Sequence, residues 1–394
     1  MTEVVISSAA RTAVGRYGGS LKDQPPTDLG ALTARTALER SGLEPDQVDQ
    51  VVFGNVIHSA PEDMYMARVV AIKAGIPQEV PALTVNRLCG TGVQAIVSAA
   101  QSIETGDADV VIAGGAESMS RVPYWMPHVR WGARMGETKM VGPVVGGLTD
   151  PFNHIHMGVT AENLAESHSI SREEQDEFSV ESHQRAARAQ QEGLFDEEIV
   201  PVRIPQRKGD PIEFRDDEGI RADTTVESLA RLRPAFAKDG TITAGSSSQI
   251  SDGACAVVVM SRAKAAELGA PVLAEIGAHG VVAGPDNSLQ SQPSNAINDA
   301  LRKEGLAIGD LDLIEINEAF AAVGIQSMKD LGVDAEKVNV NGGAIALGHP
   351  IGMSGARLAL TLALELRRRG GGTGAAALCG GGGQGDALIL HVPA

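Results

Sequence analysis

The feature that most constrains this chain is that part of it occurs twice. TALERSGLEPDQVDQVVFG (36–54) can be laid over DALRKEGLAIGDLDLIEIN, 263 residues later. Ala37, Leu38, Gly42, Leu43 and Asp49 then meet Ala300, Leu301, Gly305, Leu306 and Asp312, while Val48, Val51 and Phe53 meet Leu311, Ile314 and Ile316. The unit reads helix, glycine, strand. A second echo follows in the same order: Cys89, a helix over 91–104 and ADVVIAGG face His349, a helix over 353–368 and GAAALCGGGG. Two matches in one order predict a fold built by pseudo-duplication.

Short apolar runs, among them VVF (51–53), DVVIA (109–113), ACAVVVM (254–260) and DLIEI (312–316), alternate with helical patterns. That alternation predicts an α/β fold with mixed, mainly parallel sheets. With 394 residues, 43% of them hydrophobic, the chain can bury a large core and exceeds one ordinary domain. The stretch between the halves reads differently, with polar helices, turns and aromatic residues, as an insertion does. Within it Ser171, followed three residues on by Glu174, predicts a capping box opening a helix that Gly193 ends. The expected division is 1–119 together with 250–270, an inserted loop unit over 120–249, and 271–394.

A formal net charge of -17 argues against nucleic acid or acidic membranes as partners, so an anionic ligand needs a local basic site. The opening residues MTEVVISSAARTAVG lack a basic segment followed by an apolar run, and no stretch approaches transmembrane length, so a cytoplasmic protein is expected. Three widely spaced cysteines, Cys89, Cys255 and Cys379, fit free thiols in a reducing compartment. His154 and His156 have a metal-like spacing but no third ligand, so no metal site is expected. Arg203, Arg207 and Lys208 could attract phosphates, or form a solvated loop.

Cys89 lies in NRLCGTGVQAI, where a helix begins just after it. The helix start should depress the thiol pKa and favour the thiolate that attacks acyl carbon; the alternative is a buried small hydrophobe. His349 lies in a glycine-rich loop, NGGAIALGHPIGMSGAR, and could serve as base or oxyanion donor, or only hydrogen-bond its own loop. Cys379 ends a strand in ALCGGGGQG, whose glycines let backbone N–H groups approach a ligand or simply make a turn. Asn317, in NEAFAA, follows a strand and could hold a water or substrate oxygen, or cap the next helix.

Together NRLCGTGVQAI, NEAF, NGGAIALGHPIG and ALCGGGGQG, in this order and separation, resemble the thiolase family over essentially the whole chain. HMGVTAENLAE (156–166) and TAGSSSQISDGA (243–254) also look like thiolase segments. The resemblance implies a layered thiolase fold of two pseudo-duplicated halves, coenzyme A thioesters as substrates, and no metal or redox cofactor. It implies that Cys89 takes the acyl group, His349 activates it and Cys379 moves the α-proton. It also implies one oxyanion hole from His349 and a water on Asn317, and another from the backbone N–H groups of Cys89 and Gly381. For the coenzyme it points to Arg221 near the adenine and to Ser228 and Ser248 along the pantetheine. Leu148, His156, Met157, Phe236, Ala319 and Phe320 are then expected around the thioester. The chain departs from the usual pattern at Gly380, commonly Ile, and at Ser246 and Ser247, commonly Asn followed by Ala or Ser.

The segment 130–158, with Arg130, Arg134 and Trp131 and with Trp125 nearby, resembles the covering loop of short-chain thiolases, which implies an acetyl-CoA C-acetyltransferase assembled as a homotetramer. A broad-chain 3-ketoacyl-CoA thiolase is the alternative within the family. Decarboxylating condensing enzymes share the duplicated fold, but Cys379 argues against them. A non-enzymatic lipid carrier is a remote alternative, because all the expected reactive side chains are present. Cys255 in its apolar strand is expected to be packing.

Overall fold

A computed structural model describes residues 2–394. The N-terminal part comprises β1 (Val4–Arg11), β2 (Gly15–Arg16), α1 (Pro26–Ser41), β3 (Gln50–Gly54), α2 (Met66–Ala74), β4 (Ala82–Val85), α3 (Thr91–Glu104) and β5 (Val110–Ser118). Short helices α4 (Pro143–Gly147) and α5 (Met157–Ser167), the long α6 (Arg172–Gln191), a hairpin of β6 (Val202–Ile204) and β7 (Ile212–Phe214), and α7 (Val226–Ala230) follow. Next come β8 (Ser251–Ser261) and α8 (Arg262–Leu268). The chain ends with β9 (Ala274–Ala283), α9 (Gln292–Glu304), β10 (Leu313–Ile316), α10 (Ala321–Leu331), α11 (Ala344–Leu347), α12 (Ile351–Arg368), β11 (Gly372–Gly380) and β12 (Gln384–Val392).

The repeat read from the sequence recurs in the backbone. Helix α1 stops at Gly42 and α9 at Gly305, both with φ of 75°, a left-handed conformation glycine takes without strain. Each is followed by a 3-10 turn, Pro45–Gln47 and Ile308–Asp310, and then by a buried strand, β3 and β10. The sheet runs β10-β11-β12-β9-β1-β8-β5-β3-β4, with β2 paired to β8. One half is thus β4-β3-β5-β8-β1 and the other β10-β11-β12-β9. Val51 pairs with Ala82 of β4, and its aligned partner Ile314 makes a single parallel bridge to Val338. The halves join where β1 and β9 pair through Val5–Glu275 and Ile6–Ala274.

The sheet is mixed, but its pairings are antiparallel more often than parallel: only β3–β4, β3–β5 and β10–β11 run parallel among the described residues. The continuous apolar runs have another cause, since helices cover both faces of the strands. Val51, Phe53, Ile112 and Val258 face α1 and α2, whereas Val52, Val111, Ala113 and Val257 face α3 and α12. In the second half Ala375, Ala377 and Ile389 face α9, while Ala376, Leu378 and Leu388 face the same central helices. Burial on both faces makes a strand apolar throughout, whichever way its neighbour runs.

Helices α3 and α12 therefore form the middle layer, and α12 is buried at every position from Ile351 to Leu366. They cross at glycines. A Cβ built on Gly92 would lie 2.4 Å from Ala356 N, and one on Gly355 would lie 2.5 Å from Val93 N. Both helices begin at the same end of the molecule, directly after Cys89–Gly90 and His349–Pro350. Gly355→Ala is expected to cost about 2–3 kcal/mol by overpacking, read as a lowered thermal midpoint. Gly309→Ala, where a Cβ meets nothing within 4 Å, is the control and should change little.

Candidate active site

The turn carrying Cys89 is held from several sides. Leu88 adopts φ of 50°, uncommon for a residue with a side chain, and its N–H donates to Asn86 Oδ1 at 3.0 Å. Arg87 N donates to Thr91 Oγ1 at 2.8 Å, and the Thr91 methyl fills the space where a Cβ of Gly54 would stand. The thiol is half-buried, and the backbone N–H groups of Gly381 and of Cys89 itself face it.

His349 follows Gly348, and its backbone N–H donates to Gln249 O at 3.1 Å. Ser354 Oγ donates to Pro350 O at 2.9 Å, which leaves that oxygen free to accept the Nδ1–H of His349 at 2.6 Å. This network puts the proton on Nδ1 and leaves Nε2 as an acceptor for Asn317 Nδ2 at 3.3 Å. The Asn317 N–H donates to Ala377 O at 2.9 Å, tying it to β11, while its side-chain Oδ1 is buried without a partner. It does not cap α10, which begins after Phe320. Cys379 stands on β11 opposite Gly385, and only 2% of it is exposed.

These groups surround a cavity of about 260 Å³. Of the residues singled out from the sequence, Cys89, His349, Cys379, Gly381, Leu148, His156, Met157, Phe236, Ser248, Ala319 and Phe320 line it. His156 stacks on Phe236 with centroids 5.1 Å apart, and Phe320 meets Phe236 edge-on at 5.9 Å. Asn317 is one layer back, reaching the cavity through His349. Arg221 and Ser228 lie outside it: Arg221 is exposed and donates its backbone N–H to His183 Nδ1, and Ser228 hydrogen-bonds within the first turn of α7. Gly380 and Ser247 also line the cavity, and a Cβ on Gly380 would meet only Gln384, at 3.4 Å. Ser246 is buried against Thr243.

Sequence reading missed the apolar wall of Val56, Met119, Ile250, Leu289 and Ile351, together with Gly147 and Gln249. It also missed Glu117. This buried carboxyl group accepts from Val56 N, Ile57 N and Asn55 Nδ2 and from Gly352 N in the first turn of α12, clasping the two halves beside the cavity. An acidic residue closing an otherwise apolar strand, GGAES, was the available signal.

The electrostatics differ from expectation. Burial pushes the Cys89 thiol up to about 11, outweighing the facing N–H groups. The Cys379 thiol is pushed up further by burial and by Cys89, and Glu117 rises to about 8 through burial. Burial and Arg357 lower His349 to about 3. The expected helix-start effect is overridden because α3 begins two residues beyond Cys89 and removal from water costs the thiolate more than nearby dipoles return. At rest the site holds two thiols and a neutral imidazole.

Two family models match the chain: the thiolase N-terminal domain over residues 4–263 and the thiolase C-terminal domain over 270–392. This chain is a member of the thiolase family. It is therefore an acyltransferase by family. It is 57% identical to the probable acetyl-CoA acetyltransferase of Mycolicibacterium smegmatis, covering 98% of this chain and 100% of the relative. It is 51% identical to beta-ketothiolase BktB of Cupriavidus necator, covering 98% of each. Among solved structures, the Bacillus anthracis acetyl-CoA acetyltransferase superposes with a TM-score of 0.97 at 44% identity, covering 100% of this chain and 99% of that one. Human mitochondrial 3-ketoacyl-CoA thiolase in complex with CoA gives 0.95 at 44% identity, covering 99% and 98%.

Among the described residues of this thiolase no three His, Cys, Asp or Glu side chains cluster as metal ligands, and no helix is long and apolar enough to cross a membrane. Trp125, Trp131 and Met135 are exposed. Because His349 is neutral when folded but binds a proton near pH 6.5 when unfolded, its contribution to stability is present above pH 6.5. It is lost as pH falls towards 3. The drop in thermal midpoint between pH 6.5 and 4 should therefore be smaller in His349→Asn than in the parent, by differential scanning fluorimetry; an equal drop would contradict the buried neutral imidazole.

Proposed function

We propose that this thiolase is an acetyl-CoA C-acetyltransferase, condensing two acetyl-CoA into acetoacetyl-CoA and CoA through an acetyl-Cys89 intermediate. The observation that carries this reading is the convergence of two thiols, Cys89 and Cys379, with the His349–Asn317 pair around one apolar cavity. A neutral imidazole whose unprotonated Nε2 is engaged only by the 3.3 Å contact from Asn317 Nδ2 is suited to take the Cys89 proton as sulfur attacks the thioester carbonyl. The oxyanion that develops there is met by the N–H groups of Cys89 and Gly381. His349 keeps that proton, and CoA leaves as the thiol by taking the proton of Cys379, which is left as the thiolate.

In the second half-reaction the α-proton of a new acetyl-CoA goes to Cys379. Its elevated thiol pKa makes the thiolate a strong base once formed. The enolate oxygen is stabilised by His349 and by a water donating to the unmet Oδ1 of Asn317. Enolate carbon then attacks the acetyl thioester of Cys89, the new C–C bond forms, and Cys89 departs as thiolate and recovers its proton from His349. Every atom is accounted for by two thioesters and protons, so the cycle calls for no cofactor.

The adenine and pantetheine of the coenzyme are assigned to Arg221, Ser228 and Ser248, and residues 120–249 to a unit covering the coenzyme. The exposed Trp125, Trp131 and Met135 support its use in joining dimers into a homotetramer. A cytoplasmic location completes the reading. The second reading, a 3-ketoacyl-CoA thiolase of broader chain length, is favoured by the apolar wall of Val56, Met119, Ile250 and Ile351 around Cys89, and by likeness to BktB and the human enzyme.

CoA-dependent cleavage of acetoacetyl-CoA, measured beside 3-oxohexanoyl-CoA and 3-oxodecanoyl-CoA, decides between them: cleavage confined to the first supports the acetyltransferase, comparable cleavage of all three the broader enzyme. Cys89→Ala should abolish cleavage of every substrate. Cys379→Ala should retain acetylation of Cys89, read by protein mass, while losing condensation by about a thousandfold or more, as removal of an essential acid-base group does. Full turnover by either variant overturns this division of labour.

A further inference from the structure

Beside the turn that carries Cys89 lies a charged group that does not line the cavity. Asp386 of β12 is 1% exposed at its side chain. Its Oδ2 occupies the space beside Gly90, the residue following Cys89: a Cβ on Gly90 would stand 2.2 Å from that oxygen. Oδ1 is paired with His279 Nε2 of β9 at 3.2 Å and approached by Arg87 Nε at 3.8 Å. Glycine at position 90 is thus required by a carboxylate rather than by its backbone angles, since φ there is -74°.

We propose that Asp386 is a positioning residue for the thiolase reaction, a buried carboxylate that acts through the backbone of Gly90 to keep Cys89 protonated until His349 takes the proton. A negative charge beside the Cys89 turn disfavours the thiolate. Arg87, 3.8 Å from Oδ1 and a third exposed, sets a positive charge against that carboxylate. The pair therefore grades the field at Cys89 without touching substrate. A thiol that ionises only during attack is guarded against oxidation and stray electrophiles, which select standing thiolates.

The other charged or titratable groups about this position are accounted for. Glu117 on β5 also raises the Cys89 thiol, but its four hydrogen-bond donors fix it as the clasp between the halves. Cys379 on β11 and His349 before α12 face the cavity. On α9, which packs against β9 and β12, Lys303 donates to the His279 carbonyl oxygen and pairs with Asp299, while Glu304 pairs with His391. Glu275 of β9 pairs with Arg262. Asp386 is the carboxylate in contact with the Cys89 turn.

The test is alkylation of Cys89 by iodoacetamide in the intact enzyme, in which thiolate sulfur displaces iodide, followed on the Cys89 peptide by mass spectrometry between pH 7 and 9. In the parent the rate should rise about tenfold per pH unit without a plateau, because the thiol titrates near 11. Asp386→Asn, equal in size and uncharged, should displace the profile to lower pH by roughly half a unit. At fixed pH that is about a threefold faster reaction, since nucleophilicity falls as the thiol becomes more acidic. Arg87→Gln should displace it the other way, with about threefold slower alkylation.

Opposite displacements are a signature that loosening of the turn cannot produce. If Asp386→Asn does not fold, Arg87→Gln still decides. An unmoved profile in Arg87→Gln, or both variants moving the same way, overturns the proposal. Because the readout is a mass on Cys89 and not turnover, it remains legible even if the acetyltransferase reading fails.

Discussion

The whole site depends on how closely two buried helices can approach. Helices α3 and α12 come from different halves of the chain, yet they cross where Gly92 and Gly355 leave no side chain between the backbones. That contact sets the distance between their N-terminal turns, and those turns carry Cys89 and His349. Were either glycine replaced by a larger residue, the two halves would separate or tilt, and the cavity between them would change shape before any reactive group was altered. Glu117 reinforces the same junction by joining the end of β5 to the first turn of α12. Its four donors repay a carboxyl group buried away from water, a cost that an unpaired group could not meet.

Much of this was legible in the residues because the informative features are local. Gly42 and Gly305 ended their helices, the capping box at Ser171 and Glu174 opened α6, and α3 spans the expected 91–104. The alternation of elements and the repeat between Thr36–Gly54 and its partner predicted two related α/β halves. Strand direction was not legible, because a run such as ACAVVVM reports only that both faces are covered. The reactive side chains stood out because cysteine and histidine in glycine-rich turns are unusual, and they do converge. The apolar wall of Val56, Met119, Leu289 and Ile351 did not stand out, since such residues are everywhere in this chain and only the fold brings these ones together. Arg221 and Ser228, expected along the coenzyme, lie outside the cavity.

The protonation states show why a site cannot be read from neighbouring dipoles alone. A helix start favours an anion by a modest amount, and only within about one turn. Enclosure by Phe320, Met157, Ile351 and the rest of the wall costs a thiolate or an imidazolium more than that. The balance therefore favours neutral species at rest, and in the proposed reaction charge appears only when substrate brings an electrophilic carbonyl and the surrounding N–H groups find an oxyanion to hold. Burial that looks unfavourable for each group taken singly is favourable for the reaction, because the donors are arranged in advance and need no reorganisation when charge develops.

The same logic explains why so many charges are retained in the interior. Arg11 is fully buried between Glu198, just after α6, and Asp217, beyond the β6–β7 hairpin, so one strand of the first half is tied to two points of the inserted stretch. Arg357 of α12 pairs with buried Glu315 of β10, while Glu318 holds Ser182 of α6, Asn339 and the N–H of Ile345. Hydrophobic contacts would bury these surfaces at less cost, but they tolerate sliding. A carboxylate that must find particular donors has few alternative registers, and removing one partner would leave a charge stranded. Placed along and between α6, α11 and α12, these pairs restrain the segments from which His349 and the cavity wall project, so that a site assembled from distant stretches of sequence keeps a single geometry.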